Sequence, residues 1–195
     1  MPIHEGYDLT IFVIYDRQTN MSSWDGLLQN WDSTYSTAFW LMDNKDNSST
    51  QSGFESPGGS SWKYFDSGES GELNSVAVRW NGNNGDLFLN GETVVDSQTN
   101  FKLVLENGNT IQPGAVTRLG RSASNSSSHT SDAHIAEILI FYEELSDQEM
   151  AEINGYLSKK WALSTRMDSD NDGTLDNYDI NSVENLKNNN YFEYI

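Results

Sequence analysis

The chain has 195 residues, enough for one domain and an appendage, with a single sizeable core. Eleven Lys and Arg stand against 29 Asp and Glu, a net charge of −18, so the molecule repels phosphate backbones and anionic lipid and attracts cations. With no cysteine, disulfides, thiolate zinc sites and cysteine nucleophiles are excluded.

No stretch approaches the run of about 18 apolar residues that a membrane span requires, so membrane insertion is not expected. The opening MPIHEGYDLTIFVIYDR lacks the basic region and small-residue cleavage site of a secretory signal. An exported protein would then carry its signal outside this chain, and the expectation is a domain cut from a longer polypeptide.

Leu9 to Tyr15 (LTIFVIY) is a continuous apolar, β-branched run whose length fits a central strand buried on both faces. Thr37 to Met42 is expected as another strand. Asp43 to Ser61, rich in Ser, Asn and Gly, is expected as a long loop. Ser75 to Trp80 alternates Val76, Val78 and Trp80 against Ser75, Ala77 and Arg79. The turn NGNNGD follows, then LFLNGETVV, whose Asn90-Gly91 marks a tight hairpin because both residue types tolerate positive φ. Ser122 to Ser131 (SASNSSSHTS) is a second expected loop, and His134 to Tyr142 a further strand.

Ser146 with Glu149 three residues later forms a capping box, and Met150, Ile153, Leu157 and Trp161 recur at helical spacing. A helix over about 147 to 160 follows, its apolar stripe docked on a sheet. Short β-rich runs between polar turns, closed by one helix, describe an all-β antiparallel sandwich and not a βαβ fold.

LNSVAVRWNGNNGDLFLNGETVV, TRLGR and HIAEILIFYEELSDQEMAEINGYLSKKWAL together resemble the central hairpin and closing segment of the laminin-G-like, concanavalin A-like lectin and glucanase superfamily. The resemblance covers about residues 7 to 163. It implies a two-sheet antiparallel jelly-roll sandwich with one short C-terminal helix, and a domain division at 1–163 and 164–195. Members begin with a strand ahead of the one equivalent to LTIFVIY, for which only MPIHEG is available here.

From Asp168 the chain reads DSDNDGTLDNYD, a D-x-D-x-D-G-x-x-D-x-x-D pattern. Alternating carboxylates on a loop turning at glycine can converge on a calcium ion, which takes six to eight hard oxygens at about 2.3 to 2.6 Å. No amphipathic helix directly flanks the run on either side, so an EF-hand is not expected. It resembles a single thrombospondin type 3 repeat. That resemblance implies Ca2+ ligation by Asp168, Asp170, Asp172, Asp176 and Asp179, with the Thr174 carbonyl, in a calcium-binding loop extension that stiffens the junction out of the domain.

Glycan-cleaving relatives place paired carboxylates on one strand, and no E-x-D-x-x-E or E-x-D-x-E strand exists here. Glu143, Glu144, Asp147 and Glu149 cluster at a strand-to-helix corner instead, and no nucleophile-elbow motif is present. The chain is therefore read as non-catalytic, with a glycoside hydrolase or lyase the weakest alternative.

Binding is better supplied. Sugars are held by aromatic faces and by Asp and Asn hydrogen bonds. Segments read as loops offer Trp24, Asp25, Trp31, Asp32, Tyr35, Trp62 and Tyr64, and His129 sits in the serine-rich loop. Trp40, Trp80 and Trp161 are assigned to the core.

The expected function is a carbohydrate-binding or adhesion module of a larger secreted or cell-surface protein. Its partners would be a glycan or cell-surface polysaccharide and neighbouring domains of the same polypeptide, not nucleic acid. The alternative is a structural spacer or assembly domain of an adhesin, surface layer or virion.

Overall fold

The computed structural model describes residues 8–16, 25–31, 39–43, 51–55, 62–66, 71–81, 85–95, 116–120 and 133–179. Among the described residues, ten strands and one helix form a two-sheet antiparallel jelly-roll sandwich. One sheet contains β10 (His134–Phe141), β1 (Leu9–Asp16), β6 (Leu73–Trp80), β7 (Gly85–Leu89) and β8 (Glu92–Val95), in that order. The other contains β5 (Trp62–Asp66), β4 (Gln51–Glu55), β3 (Phe39–Asp43), β2 (Asp25–Trp31) and β9 (Val116–Leu119).

The apolar run in β1 is explained by its position in the middle of its sheet, with both faces covered. Successive strand residues point to opposite faces. Leu9, Ile11, Val13 and Tyr15 enter the core between the sheets with Val76, Val78, Trp80, Leu87, Leu28 and Leu41. Phe12 and Ile14 point the other way. They join Ala77, Phe88, Leu145, Met150, Leu157, Leu163 and Met167 in a second core beneath the helix. The β10 strand divides in the same manner, Ile135, Ile138 and Ile140 facing the first core and Leu139 and Phe141 the second.

Helix α1 spans Asp147–Trp161 and is placed by local chemistry at both ends. Ser146 Oγ accepts from Glu149 N, while Ser146 N donates to Glu149 Oε2 at 2.8 Å, completing the capping box. Ala162, in the left-handed region at φ 55°, turns the chain, and Leu163 N returns to the Ser158 carbonyl at 2.8 Å. The strand-to-helix corner is tied to β1 by Thr10, whose Oγ1 donates to the Glu143 carbonyl and accepts from Leu145 N. Near the far end of α1, Glu137 on β10 accepts from Lys160 Nζ at 2.8 Å and Trp161 Nε1 at 2.6 Å. Trp161 is thus half-buried with a polar anchor, while Trp80 is fully buried. The Trp40 side chain lies outside the described residues.

The expected long loop Asp43 to Ser61 is corrected at its centre: residues 51–55 form β4, paired with β3 and β5. Trp62 and Tyr64 stand in β5, and Asp25 and Trp31 bound β2, so these four belong to strands and not to loops. The sequences QSGFE and DGLLQNW lack clear alternation because β-propensity yields to cross-strand pairing. In β2 a register shift between Gly26 and Leu28 lets the consecutive Leu27 and Leu28 both be buried.

Candidate functional site

The described candidate lies where the chain leaves α1. Leu163 and Met167 are buried in the helix-side core and anchor the segment. Beyond them Asn171 (φ 58°) and Gly173 (φ 90°) turn the acidic run back on itself, conformations that asparagine and glycine adopt most readily.

Asp168 is the centre of the turn. Only 1% exposed, it accepts from Gly173 N at 2.7 Å through Oδ2 and from Asp172 N at 3.2 Å through Oδ1. Asp172 Oδ1 accepts from Thr174 N at 2.8 Å. One carboxylate oxygen from each of Asp168, Asp170 and Asp172 falls within 4.8 Å of the others. No ion pair among the described residues brings Lys or Arg to these three; Arg79 pairs with Asp86 and Asp147, and Arg166 with Glu72.

Burial, followed by the charges of Asp172, Asp179 and Asp168, pushes the Asp170 carboxyl above its ordinary value. Its Oδ1 is shielded from solvent and meets no hydrogen-bond donor. A hard divalent cation relieves both conditions, and an all-oxygen donor set suits calcium, so the residues fit the ion.

The structure brings Asp168, Asp170 and Asp172 together, with Asp179 close enough to act on Asp170 electrostatically. Asp176 is turned to another task. Its Oδ1 accepts from Ser169 N at 2.9 Å and its Oδ2 from Ser169 Oγ at 2.7 Å, bracing the base of the turn. Thr174 stands between the two halves, its N–H held by Asp172.

The acidic turn is seated on the sandwich. Asp168 N donates to the Asn90 carbonyl at 2.9 Å. Thr93 N donates to Asn171 Oδ1 at 2.9 Å, and Asn171 Nδ2 returns to Thr93 Oγ1 at 3.2 Å. Asn154 of α1 donates to the Ser169 carbonyl. Asn90 and Gly91, both at positive φ, form the β7–β8 turn, which Asn90 clips to β6 through Ser75. The asparagine-glycine pair was legible as a turn, but nothing in the sequence marked it as the platform for a loop so far along the chain.

Beside the acidic turn, on the helix side of the first sheet, lies a cavity of about 540 Å³. Arg79, Asp86, Phe88, Thr93, Asp147 and Asp170 are among the residues that line it. Arg79 Nη2 meets Asp86 Oδ2 at 2.8 Å, its Nη1 meets Asp147 Oδ1, and the guanidinium lies 5.4 Å from the Phe88 ring centre. Burial works against the charged form, but the bonds to Asp147 and Asp86 outweigh it and raise the Arg79 pKa. Of these residues, the sequence marks only Asp170 as a ligand contact, in the aspartate run. Asp147 and Glu149, from the acidic corner cluster, are engaged by Arg79 and by the helix cap.

Trp24, Asp32, Tyr35 and His129 lie outside the described residues, as do the side chains of Asp25, Trp31, Trp62 and Tyr64. The same holds for residues 1–7, where a preceding strand would stand, and for Ser122 to Ser131.

No protein-family model matches the sequence, and no curated protein does. Solved structures match the fold. The CBM40 of the Ruminococcus gnavus IT-sialidase, bound to α2,6 sialyllactose, is 18% identical, with a TM-score of 0.57 over 74% of this chain and 82% of that one. A Trypanosoma rangeli sialidase in complex with sialic acid is 14% identical, with a TM-score of 0.59 over 80% of this chain but only 23% of the sialidase. A heptameric SAP-like pentraxin from Limulus polyphemus is 14% identical, with a TM-score of 0.53 over 73% of this chain and 68% of that one. At such identities the likeness establishes the jelly roll and no more.

Proposed function

We propose that this chain is a non-catalytic carbohydrate-binding or adhesion module of a larger extracellular protein. The observation that carries the reading is the sandwich itself, which matches a module whose structure holds sialyllactose. The sialidase match supports binding over catalysis, since it spans under a quarter of that enzyme. Trp24, Asp25, Trp31, Asp32, Tyr35, Trp62, Tyr64 and His129 form the proposed sugar-contacting set, aromatic faces stacking on C–H surfaces while Asp and His hydrogen-bond hydroxyls.

The acidic turn, read as a thrombospondin type 3-like repeat within the segment 164–195, holds calcium through Asp168, Asp170 and Asp172. Asp179, Asp176 and the Thr174 carbonyl complete or brace the set. The supporting features are the convergent carboxylates without a basic partner and the shielded Asp170 oxygen. Calcium offsets part of the turn's negative charge; the protein's own residues position it against the β7–β8 hairpin.

A glycan array probed with and without calcium tests the reading, with Trp24→Ala, Trp31→Ala and Trp62→Ala as controls. Binding to at least one polysaccharide class, weakened about tenfold or more by loss of an aromatic anchor, is expected. Silence across the array overturns it.

A further inference from the structure

We propose that the cavity between α1, the β7–β8 hairpin and the acidic turn is a second saccharide site, selective for neutral, hydroxyl-rich sugars over acidic ones. The proposal rests on the carbohydrate-binding reading but places a site on the helix side of the first sheet, lined by residues other than the proposed aromatic set.

Size and lining support it. A volume of about 540 Å³ lies within the range of about 300 to 1,000 Å³ typical of small-ligand pockets. The walls carry Arg79, Thr93, Asp147 and Asn154, with Phe88 and Met150 as apolar members. That mixture suits a molecule with hydroxyls at its edge and C–H groups on its faces.

Hydrogen-bonding capacity remains after the internal bonds are made. Thr93 Oγ1 accepts from Asn171 and keeps its own hydrogen to donate. Arg79 Nη2 uses one of its two N–H groups on Asp86. Asp147 meets Arg79 through Oδ1, and its side chain is 93% exposed, leaving Oδ2 to accept from a hydroxyl.

Charge sets the selectivity. Among the described residues that line the cavity, three are carboxylates, Asp86, Asp147 and Asp170, and one is a guanidinium, Arg79, bonded to the first two. Even with Asp170 compensated by a cation, these described residues carry two carboxylates to one Arg79. A sugar carboxylate would enter against like charge, whereas a neutral hydroxyl donates to an aspartate without that cost.

The acidic turn supplies a wall through Ser169, Asp170 and Asn171. Whatever loosens the turn therefore opens the site, and calcium removal is expected to weaken sugar binding here.

The test uses the full chain with calcium, carrying 13C-methyl methionine, titrated with lactose, maltose and cellobiose and, separately, with sialyllactose. The Met150 methyl resonance should shift with at least one neutral disaccharide. Thr93→Trp, placed at an exposed position to fill the mouth, should weaken that sugar at least tenfold while the circular dichroism stays native. Asp147→Lys should narrow or reverse the preference over sialyllactose.

Two results overturn the cavity site alone: sugar binding that leaves Met150 unmoved and survives Thr93→Trp but falls in Trp62→Ala, or a Met150 shift stronger with sialyllactose than with the neutral sugars. If no probe binds and a glycan array is also silent, the carbohydrate-binding reading falls with it.

Discussion

The carbonyl of Asp168 lies directly over the α-carbon of Gly91, where any side-chain carbon would collide with it. Gly91 stands in a hairpin turn and Asp168 in the acidic run, and the contact seats one on the other. The backbone bond from Asp168 N to the Asn90 carbonyl holds the same junction.

Replacing Gly91 with alanine is expected to destabilise the protein by about 2 to 4 kcal/mol. A Cβ at φ +87° is strained, and it also pushes the acidic turn away from the sheet. Urea denaturation followed by tryptophan fluorescence measures the loss. An unchanged midpoint would show that the turn is not seated on the hairpin.

Calcium removal is expected to lower the melting temperature, because an ion bound only by the folded state stabilises it by mass action. The effect amounts to about 2.7 kcal/mol at a hundredfold excess over Kd. Amide exchange should accelerate in residues 168–179 and also around Asn90 to Thr93, since the two segments share three hydrogen bonds. Asp172→Asn should reduce the response to EDTA. Identical melting curves with and without chelator, at low salt, would remove the metal from the account.

Ser146→Ala is expected to cost about 1 kcal/mol, the usual loss for a helix N-cap. The variant forfeits the bonds of Ser146 Oγ to both Glu149 N and Glu149 Oε2. Because α1 covers the outer face of the first sheet, the loss should appear in global stability and not only in fraying of the first turn. Chemical denaturation checks this, and an effect below about 0.3 kcal/mol would mean that tertiary packing alone holds the helix start.

Acid should loosen the other end of α1. Burial raises the Glu137 pKa, but hydrogen bonds from Lys160 and Trp161 and the Lys160 charge outweigh it, leaving the carboxyl below its ordinary value. A carboxylate depressed in the folded state contributes stability that is fully present above its unfolded pKa. That contribution disappears as pH falls through the folded value. The expected outcome is a loss of stability below about pH 4.5 that Glu137→Gln largely abolishes, read from melting temperatures across pH. Parallel acid limbs in the two proteins would contradict the assignment.

Much of the fold was legible because its signals are local. Leu9 to Tyr15 carries its own burial on both faces as an unbroken apolar run, and Asn90-Gly91 names a tight turn through the backbone freedom of its two residues. Ser146 and Glu149 mark the helix start, since the bonds that make a capping box lie within one turn. In contrast, QSGFE and WKYFD carry no local strand signal and read as loop, because their strands are made by pairing β4 with β5 and with β3.

The candidate site divides along the same line. The alternating aspartates and the glycine mark by themselves an acidic turn at residues 168–179, since glycine supplies the backbone freedom for the turn and the carboxylates its charge. Only the tertiary structure decided that this turn docks on a hairpin 78 residues earlier, through Asn171 and Thr93. It also decided that Arg79, Asp86 and Asp147 line one cavity beside the turn. Those residues come from three elements, and chain folding alone sets their distances: no periodicity or spacing in the sequence records which strand a helix will cover.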